Sequence, residues 1–233
     1  MTQAPILVLG ATGKTGRRIV QRLSAQGRAV RQGSRRADPS FDWEDPVTWP
    51  AALDGVEAVY VSFYPDLAVP GAPAAIEALA SCAAAAGVER LVLLSGRGEV
   101  NAQRCEEIVR ASGIPFTLIR ASWFAQNFDE GHLLAPVLGG TVALPAGEVR
   151  EPFVDVDDIA EVAVAVLTDA RHAGRLYEVT GPELANLLTD LCAEVLDGRN
   201  ASLGDGVQQA LGRAPRDFAD YCRAAAASGA WNG

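Results

Sequence analysis

The sequence predicts an α/β fold, a doubly wound parallel sheet followed by a small, reduced C-terminal portion. Three observations predict it. Strand-like and helix-like patterns alternate through most of the 233 residues. The first strand, Ile6 to Leu9, is apolar at every position, as expected of a central parallel strand covered on both faces. Three glycines spaced three apart, Gly10, Gly13 and Gly16, follow that strand and open directly into a helix-like pattern.

The elements follow in order. Ile19, Val20 and Leu23 supply the buried stripe of the first helix. Ala29 to Gln32 reads as the second strand, and Phe41-Asp42 as a short third. Pro46 to Leu53 reads as a helix closing at Asp54-Gly55, and Val56 to Ser62 as a fourth strand rich in β-branched and aromatic residues. An Ala-rich helix from Pro73 to Ala86 ends at Gly87. Arg90 to Ser95 is the fifth strand, Asn101 to Ser112 a helix ended by Gly113, and Phe116 to Arg120 the sixth strand. Val142 to Leu144 is a small strand candidate. Ile159 to Leu167 is an apolar helix, and Leu176 to Thr180 a further strand. The last fifty residues look helical, with Gly198, Gly204, Gly206 and Gly212 as breaks. The domain reading is therefore 1–182 for the sheet and 183–233 for a short helical portion.

The glycine turn predicts a ligand. Gly10 lets the chain leave the strand sharply, Gly13 lets backbone N–H groups approach a pyrophosphate, and Gly16 lets the helix pack close to the sheet. The helix start offers unpaired N–H donors and a partial positive charge to phosphates. Thr12, Lys14 and Thr15 complete the expected contacts. The spacing GxxGxxG differs from GxGxxG. It is not a Walker A loop either, because Val8 stands where that motif needs glycine.

Composition narrows the class. The net charge is −9 and no basic cluster forms a track for a phosphate backbone, which argues against nucleic-acid partners. No run approaches a transmembrane span, and the N-terminus lacks a basic segment followed by an apolar one. The expectation is a soluble, cytoplasmic protein without a membrane partner. Cys82, Cys105, Cys192 and Cys222 match no metal or redox spacing. Asp155, Asp157 and Asp158 precede a helix, where capping and dipole complementarity account for them better than a metal; no metal is expected. Lys14 is the only lysine, against nineteen arginines, a bias that suggests a GC-rich genome.

The end of the second strand separates the dinucleotides. An acid there holds ribose hydroxyls, and arginine accommodates a 2′-phosphate. Here the strand runs into Gly33-Ser34-Arg35-Arg36, which favours NADP(H) with NAD(H) as the alternative. Arg35 and Arg36 read equally as solvated surface charges. Asp42 is placed to accept from an adenine amino group or to cap a turn.

Several stretches together resemble a known family. They are Gly10-Ala11-Thr12-Gly13-Lys14-Thr15-Gly16, Leu94-Ser95-Gly96-Arg97-Gly98-Glu99, Ser112 to Arg120, Ala121-Ser122-Trp123-Phe124-Ala125-Gln126-Asn127-Phe128, and Glu151 to Ala160. In order and spacing they resemble the NmrA-like atypical short-chain dehydrogenases. The resemblance covers residues 1 to about 182, and Asp197 to Trp231 is similar to the family's C-terminal end. It implies a Rossmann core with a substrate-binding portion over the C-terminal strand edge. It also implies either NAD(P)H-dependent reduction of quinones, aromatic ethers and iminium compounds, or NADP binding without catalysis in redox-sensing regulators. By analogy Ser62, Phe63 and Tyr64, then Ser95 and Gly96, then Ala121 to Phe124 line the cofactor cleft, Ser122 among them.

Two departures bear on mechanism. Many family members carry a lysine on the helix after the fifth strand; Ala102 stands at the matching position, and the tyrosine-lysine pair of other short-chain dehydrogenases is absent. The chain also passes from Gly181-Pro182-Glu183 almost directly to its final helices, so the substrate cleft is expected to be wide and open.

A quinone delocalises its oxyanion and needs less general-acid help than an isolated ketone. The missing lysine therefore points to a flat, aromatic acceptor. Trp123, Phe124 and Phe128 with Tyr64 supply a stacking platform, or lie partly in the core. Tyr64 offers a phenol to a substrate oxygen, or serves only the Tyr-Pro turn. Arg97 and Glu99, in the loop after the fifth strand, orient substrate or pair together. Asn127 bonds a carbonyl or caps a helix, and His132 is a proton-donor candidate. The leading expectation is an NAD(P)H-dependent reductase of a quinone or polycyclic aromatic compound of polyketide type. It would supply a dihydroquinone to a partner monooxygenase in antibiotic tailoring. The alternative is a non-catalytic NADP-binding redox sensor.

Overall fold

Six parallel strands form the centre of the molecule: β1 (Ile6–Leu9), β2 (Val30–Gly33), β3 (Ala58–Val61), β4 (Arg90–Gly96), β5 (Phe116–Ala121) and, after a two-residue strand β6 (Arg150–Glu151), β7 (Arg175–Val179). The computed structural model describes residues 3–142, 150–182, 185–186 and 202–231. The strand order is β2-β1-β3-β4-β5-β7. The order reverses at β1, with Ile6 opposite Val30 on one side and Ala58 on the other. Such a reversal opens a crevice at the carboxyl ends of the strands.

Alternation within the strands divides the core. Leu7, Leu9, Val59, Val61 and Leu93 face α2 (Trp49–Leu53), α3 (Ala72–Ala85) and α4 (Val100–Ala111). Ile6, Val8, Tyr60 and Val92 face α1 (Lys14–Ala25) through Ile19 and Leu23, and α6 (Val156–Thr168) through Val162 and Val166. Helices on both faces keep these central strands fully apolar. A third cluster sits beyond β5. Phe128, Leu133, Phe153 and Tyr221 join there, alongside α5 (Leu134–Leu138) and α8 (Phe218–Ala227), with the Phe153 and Phe218 rings stacked at 5.0 Å.

The third strand expected at Phe41-Asp42 does not form. Asp42 makes only an isolated bridge to Asp45, and its side chain accepts from the Glu44 N–H in a local turn. The Phe41 ring instead stacks on Trp49 at 5.7 Å and meets Trp43 edge-on at 5.1 Å. Burial of three rings against the first core cluster outweighs pairing on a sheet edge. In the tail, α7 (Gly206–Leu211) packs Val207 into the second core cluster, and a short strand β8 (Ala185–Asn186) pairs antiparallel with β6, so this portion is not wholly helical. Gly212 ends α7 with φ +67°. Gly204 and Gly206 press against the Glu178 backbone, where an added Cβ would meet its carbonyl oxygen at 2.4 and 2.6 Å. Val142 is not in a strand; Ala143 and Leu144, and Gly198, lie outside the described residues. No helix among the described residues is long and apolar enough to cross a membrane.

Candidate functional site

The site begins at the glycine turn. Gly10 adopts φ +69°, a conformation that side chains resist, and its N–H donates to the Gly33 carbonyl at 3.1 Å. A Cβ on Gly16 would lie 2.1 Å from the Gly10 carbonyl oxygen, so only glycine allows α1 to sit this close to β1. No side chain caps α1 and its first turn holds no acid. Thr12 and Gly13 are exposed there. An uncapped, acid-free helix start beside exposed backbone fits the pyrophosphate of a dinucleotide. Thr15, by contrast, is buried beneath the turn.

A cavity of about 510 Å³ opens at the carboxyl ends of β3, β4 and β5. Ser62 and Phe63 line it from β3, Ser95, Gly96 and Arg97 from β4, and Ser122, Trp123 and Phe124 from β5. Lys14, Asn127 and His132 complete the predicted residues brought together there. The segment after β5 is held by pairing with residues 152–154: Val154 N–H donates to Trp123 at 2.8 Å and Ala125 N–H to Val154 at 2.9 Å. Buried Gln126 fastens the same segment to α6, donating to Asp155 at 2.9 Å and accepting from the Val156 N–H at 2.8 Å.

Several predicted residues are committed elsewhere. Tyr64 is 72% exposed and lies outside the cavity lining. Phe128 is buried in the third cluster, 5.3 Å from Phe153, and forms no part of the cavity wall. Arg97 pairs with Glu178 at 2.7 Å, not with Glu99, and donates to the Ser202 carbonyl at 2.8 Å. The Ser95 hydroxyl donates to buried Glu106 at 2.7 Å, and the Ser122 hydroxyl donates to the Pro152 carbonyl. Asn127 accepts from Lys14 Nζ at 2.7 Å. Arg35 and Arg36 are exposed past the end of β2, Ser34 is half-buried, and the Asp42 carboxylate is occupied by its own turn. Asp155 caps α6 by accepting from the Asp157 N–H, Asp157 pairs with Arg18 at 3.3 Å, and Asp158 pairs with Arg213 at 2.7 Å.

Two of the carboxyls that line the cavity are Glu99, which the sequence offered with Arg97 to orient substrate, and Glu151, to which it assigned no chemical role. Glu151, at the end of β6, is 2% exposed and its Oε1 has no hydrogen-bond partner among the described residues. Burial raises it to about 7, against a backbone N–H from Trp123 and the charge of Arg97. Glu99 lies across the cavity; burial, with Asp66 nearby, raises it also to about 7. Nothing local in Arg150-Glu151-Pro152 signals an enclosed carboxyl, because the enclosure comes from β5 and its following segment.

The NAD(P)H-binding family model matches residues 10–170. A (4-alkanoyl-5-oxo-2,5-dihydrofuran-3-yl)methyl phosphate reductase of Streptomyces griseus is 36% identical over 201 residues, covering 76% of this chain and 68% of that protein. Prestalk A differentiation protein A of Dictyostelium discoideum is 30% identical over 205 residues, covering 79% of this chain and 66% of that protein. The chain thus spans about two thirds of the length of these curated relatives. The NADPH complex of an NADPH-dependent quinone oxidoreductase from Escherichia coli superposes with a TM-score of 0.73 at 20% identity, over 94% of this chain and 99% of that one. The parallel sheet, the glycine turn and the matched family together make this chain a member of the NAD(P)H-binding family, with a Rossmann fold.

Proposed function

We propose that this chain is a reductase that passes hydride from NADPH, in preference to NADH, to a flat aromatic acceptor of the quinone or polycyclic class. One observation carries the reading: a cavity of about 510 Å³ adjoins the glycine turn and is walled by Phe63, Trp123 and Phe124. Rings on its walls suit a planar acceptor, and hydride transfer asks the protein mainly for geometry and exclusion of water. The bound dinucleotide supplies the hydride. The chain's own residues bind and align: the helix start and Lys14 take the phosphates, and the segment after β5 positions the acceptor. Arg35 and Arg36, with no acid between Gly33 and Ala37, support a 2′-phosphate. In a tailoring sequence the dihydroquinone formed would be the substrate of a partner monooxygenase.

The test mixes the purified chain with NADPH or NADH and a panel of naphthoquinones, anthraquinones and simple ketones, following loss of reduced nicotinamide absorbance. Turnover of the quinones, faster with NADPH, is the expected result. Tight NADP(H) binding with no turnover of any acceptor overturns it in favour of the redox-sensing reading. The absence of a cavity lysine on α4 already speaks for that alternative, since Ala102 is fully buried in the core.

A further inference from the structure

The cavity holds one acidic group that the fold encloses without partnering both of its oxygens among the described residues. Glu151 projects from β6 into the space below Trp123 and Phe124, and it lines the same cavity as Ser122 and Asn127. One carboxyl oxygen takes the backbone N–H of Trp123; the other, Oε1, is buried without a partner among the described residues. An orphaned buried acceptor costs stability and is retained where it meets a ligand. The strand itself does not need a carboxyl there, because an apolar residue would satisfy burial beside Phe153.

We propose that Glu151 is the proton donor to the reduced acceptor, a catalytic residue of the reductase; the proposal rests on the hydride-transfer reading given above. As hydride reaches a ring carbon conjugated with the carbonyl, the C=C pair shifts and the C=O pair moves onto oxygen. The Glu151 carboxyl releases its proton to that oxygen, and the carboxylate left behind takes a proton from water through the open cavity mouth. Exchange of the ring C–H proton for one on the second oxygen, through water, then gives the dihydroquinone. Charge and atoms balance with the dinucleotide as the only reductant.

The competing groups are weaker candidates. Tyr64 points away from the cavity, Asn127 does not titrate and already accepts from Lys14, and His132 is exposed. The charges that face Glu151 are also on the page. Arg97 approaches from the end of β4 but is paired with Glu178, Lys14 from α1 is tied to Asn127, and Glu99, Asp66 and His132 share the cavity. A carboxyl buried among these groups keeps its proton near pH 7, the condition a general acid needs.

Two measurements on the full chain test it. The first is the pH profile of kcat/KM for a quinone, in wild type, Glu151→Gln and Glu99→Gln. The expected result is a wild-type rate that falls tenfold per pH unit above about 7, and a Glu151→Gln rate at least 100-fold lower and flat with pH, while its Kd for NADPH stays within threefold. The second measurement is independent of turnover. Difference infrared spectra should show protonated-carboxyl intensity at pH 6 that titrates away near pH 7; the Glu151 band should be missing from Glu151→Gln and remain in Glu99→Gln. An active Glu151→Gln that keeps the wild-type profile, a limb that vanishes with Glu99→Gln instead, or no such band at pH 6 overturns the proposal while leaving the reductase reading intact. A wild type inactive on every acceptor overturns that reading and the donor role with it, even with the band present.

Discussion

Lys14 and Asn127 meet across one corner of the cavity, the ammonium donating to the amide oxygen at 2.7 Å. The contact links the glycine turn to the segment after β5, the two parts that a bound dinucleotide would bridge. Burial holds the Lys14 ammonium below its ordinary value, although Glu130 and Asp129 pull the other way. The only lysine of the chain therefore stands in the cavity, where the sequence assigned it solely to phosphates.

Lys14→Met should weaken NADPH binding about tenfold, the loss of one charge-assisted contact to a phosphate. Asn127→Ala frees the ammonium and should change the Kd by less than threefold. Titration calorimetry of both variants checks this. Equal losses in the two would mean that the tie itself, and not the lysine charge, matters for binding.

Gly16→Ala is expected to be among the most damaging single substitutions in the chain. Its Cβ would sit 2.1 Å from the Gly10 carbonyl oxygen and 2.9 Å from the Ala11 Cα, both backbone atoms that cannot swing aside. Helix α1 would have to lift from β1, costing about 3 kcal/mol or more. Gly10→Ala meets only the Ser62 side chain, at 3.3 Å, and is strained mainly by its φ of +69°, so about 1–2 kcal/mol is expected. Urea unfolding gives both numbers, and the order Gly16 over Gly10 is the part to check.

Glu106 on α4 carries no exposed surface and gathers the end of the sheet around it. It accepts from Ser95 at 2.7 Å and from Arg120 at 2.6 and 2.9 Å. Glu106→Ala takes the acceptor from the half-buried Arg120 guanidinium, which keeps Glu178 at 3.6 Å, and from the buried Ser95 hydroxyl together, and should cost about 2–3 kcal/mol by denaturant unfolding. Because Ser95 and Arg97 leave the same strand toward the cavity, NADPH affinity should also fall. A loss under about 1 kcal/mol would show that water replaces the carboxylate.

Much of this architecture is legible in the chain, and the illegible parts share a physical cause. The glycine turn reads clearly because each of its steric demands is local. Strands β1 and β3 read clearly because burial on both faces removes polar residues from them. The run Phe41-Asp42-Trp43 misled because its two aromatics look alike whether they pair in a sheet or pack with Trp49. Phe128 misled for the same reason, since a ring on a cavity wall and a ring stacked near Phe153 have one spelling. Glu151 was invisible as a functional group because its burial is set by Trp123 and Val154, distant in the pattern that produced the strands. Ser62, Ser95 and Trp123 were placed by the family resemblance together with the strand ends, and the structure brings all three to the cavity.

The acid groups make stability depend on pH in two opposite ways. In Glu130, burial raises the carboxyl, but hydrogen bonds from Arg18 and Arg17 outweigh it and hold the group below its ordinary range. Glu161 behaves alike through Arg213 and Arg216. Depressed acids contribute above their unfolded value, near pH 4.5, and that contribution is lost as pH falls through the lower folded value. Glu151 and Glu99 are the reverse case: burial lifts both to about 7, so the folded state binds more protons than the unfolded one between about 4.5 and 7. Stability must then decline as pH rises from about 4.5 to about 7 and level off once the enclosed carboxyls have ionised. The maximum set by these groups is expected near pH 4.5. Glu151→Gln removes one ionisation without changing shape. It should match wild type near pH 5 and exceed it at pH 8.5 by about 2 kcal/mol, discounted from the full shift for water reaching the open cavity. Urea midpoints across that range decide it. A wild type as stable at pH 8.5 as at pH 5.5, with no advantage for the glutamine variant, would mean that Glu151 is already ionised and solvated at neutral pH.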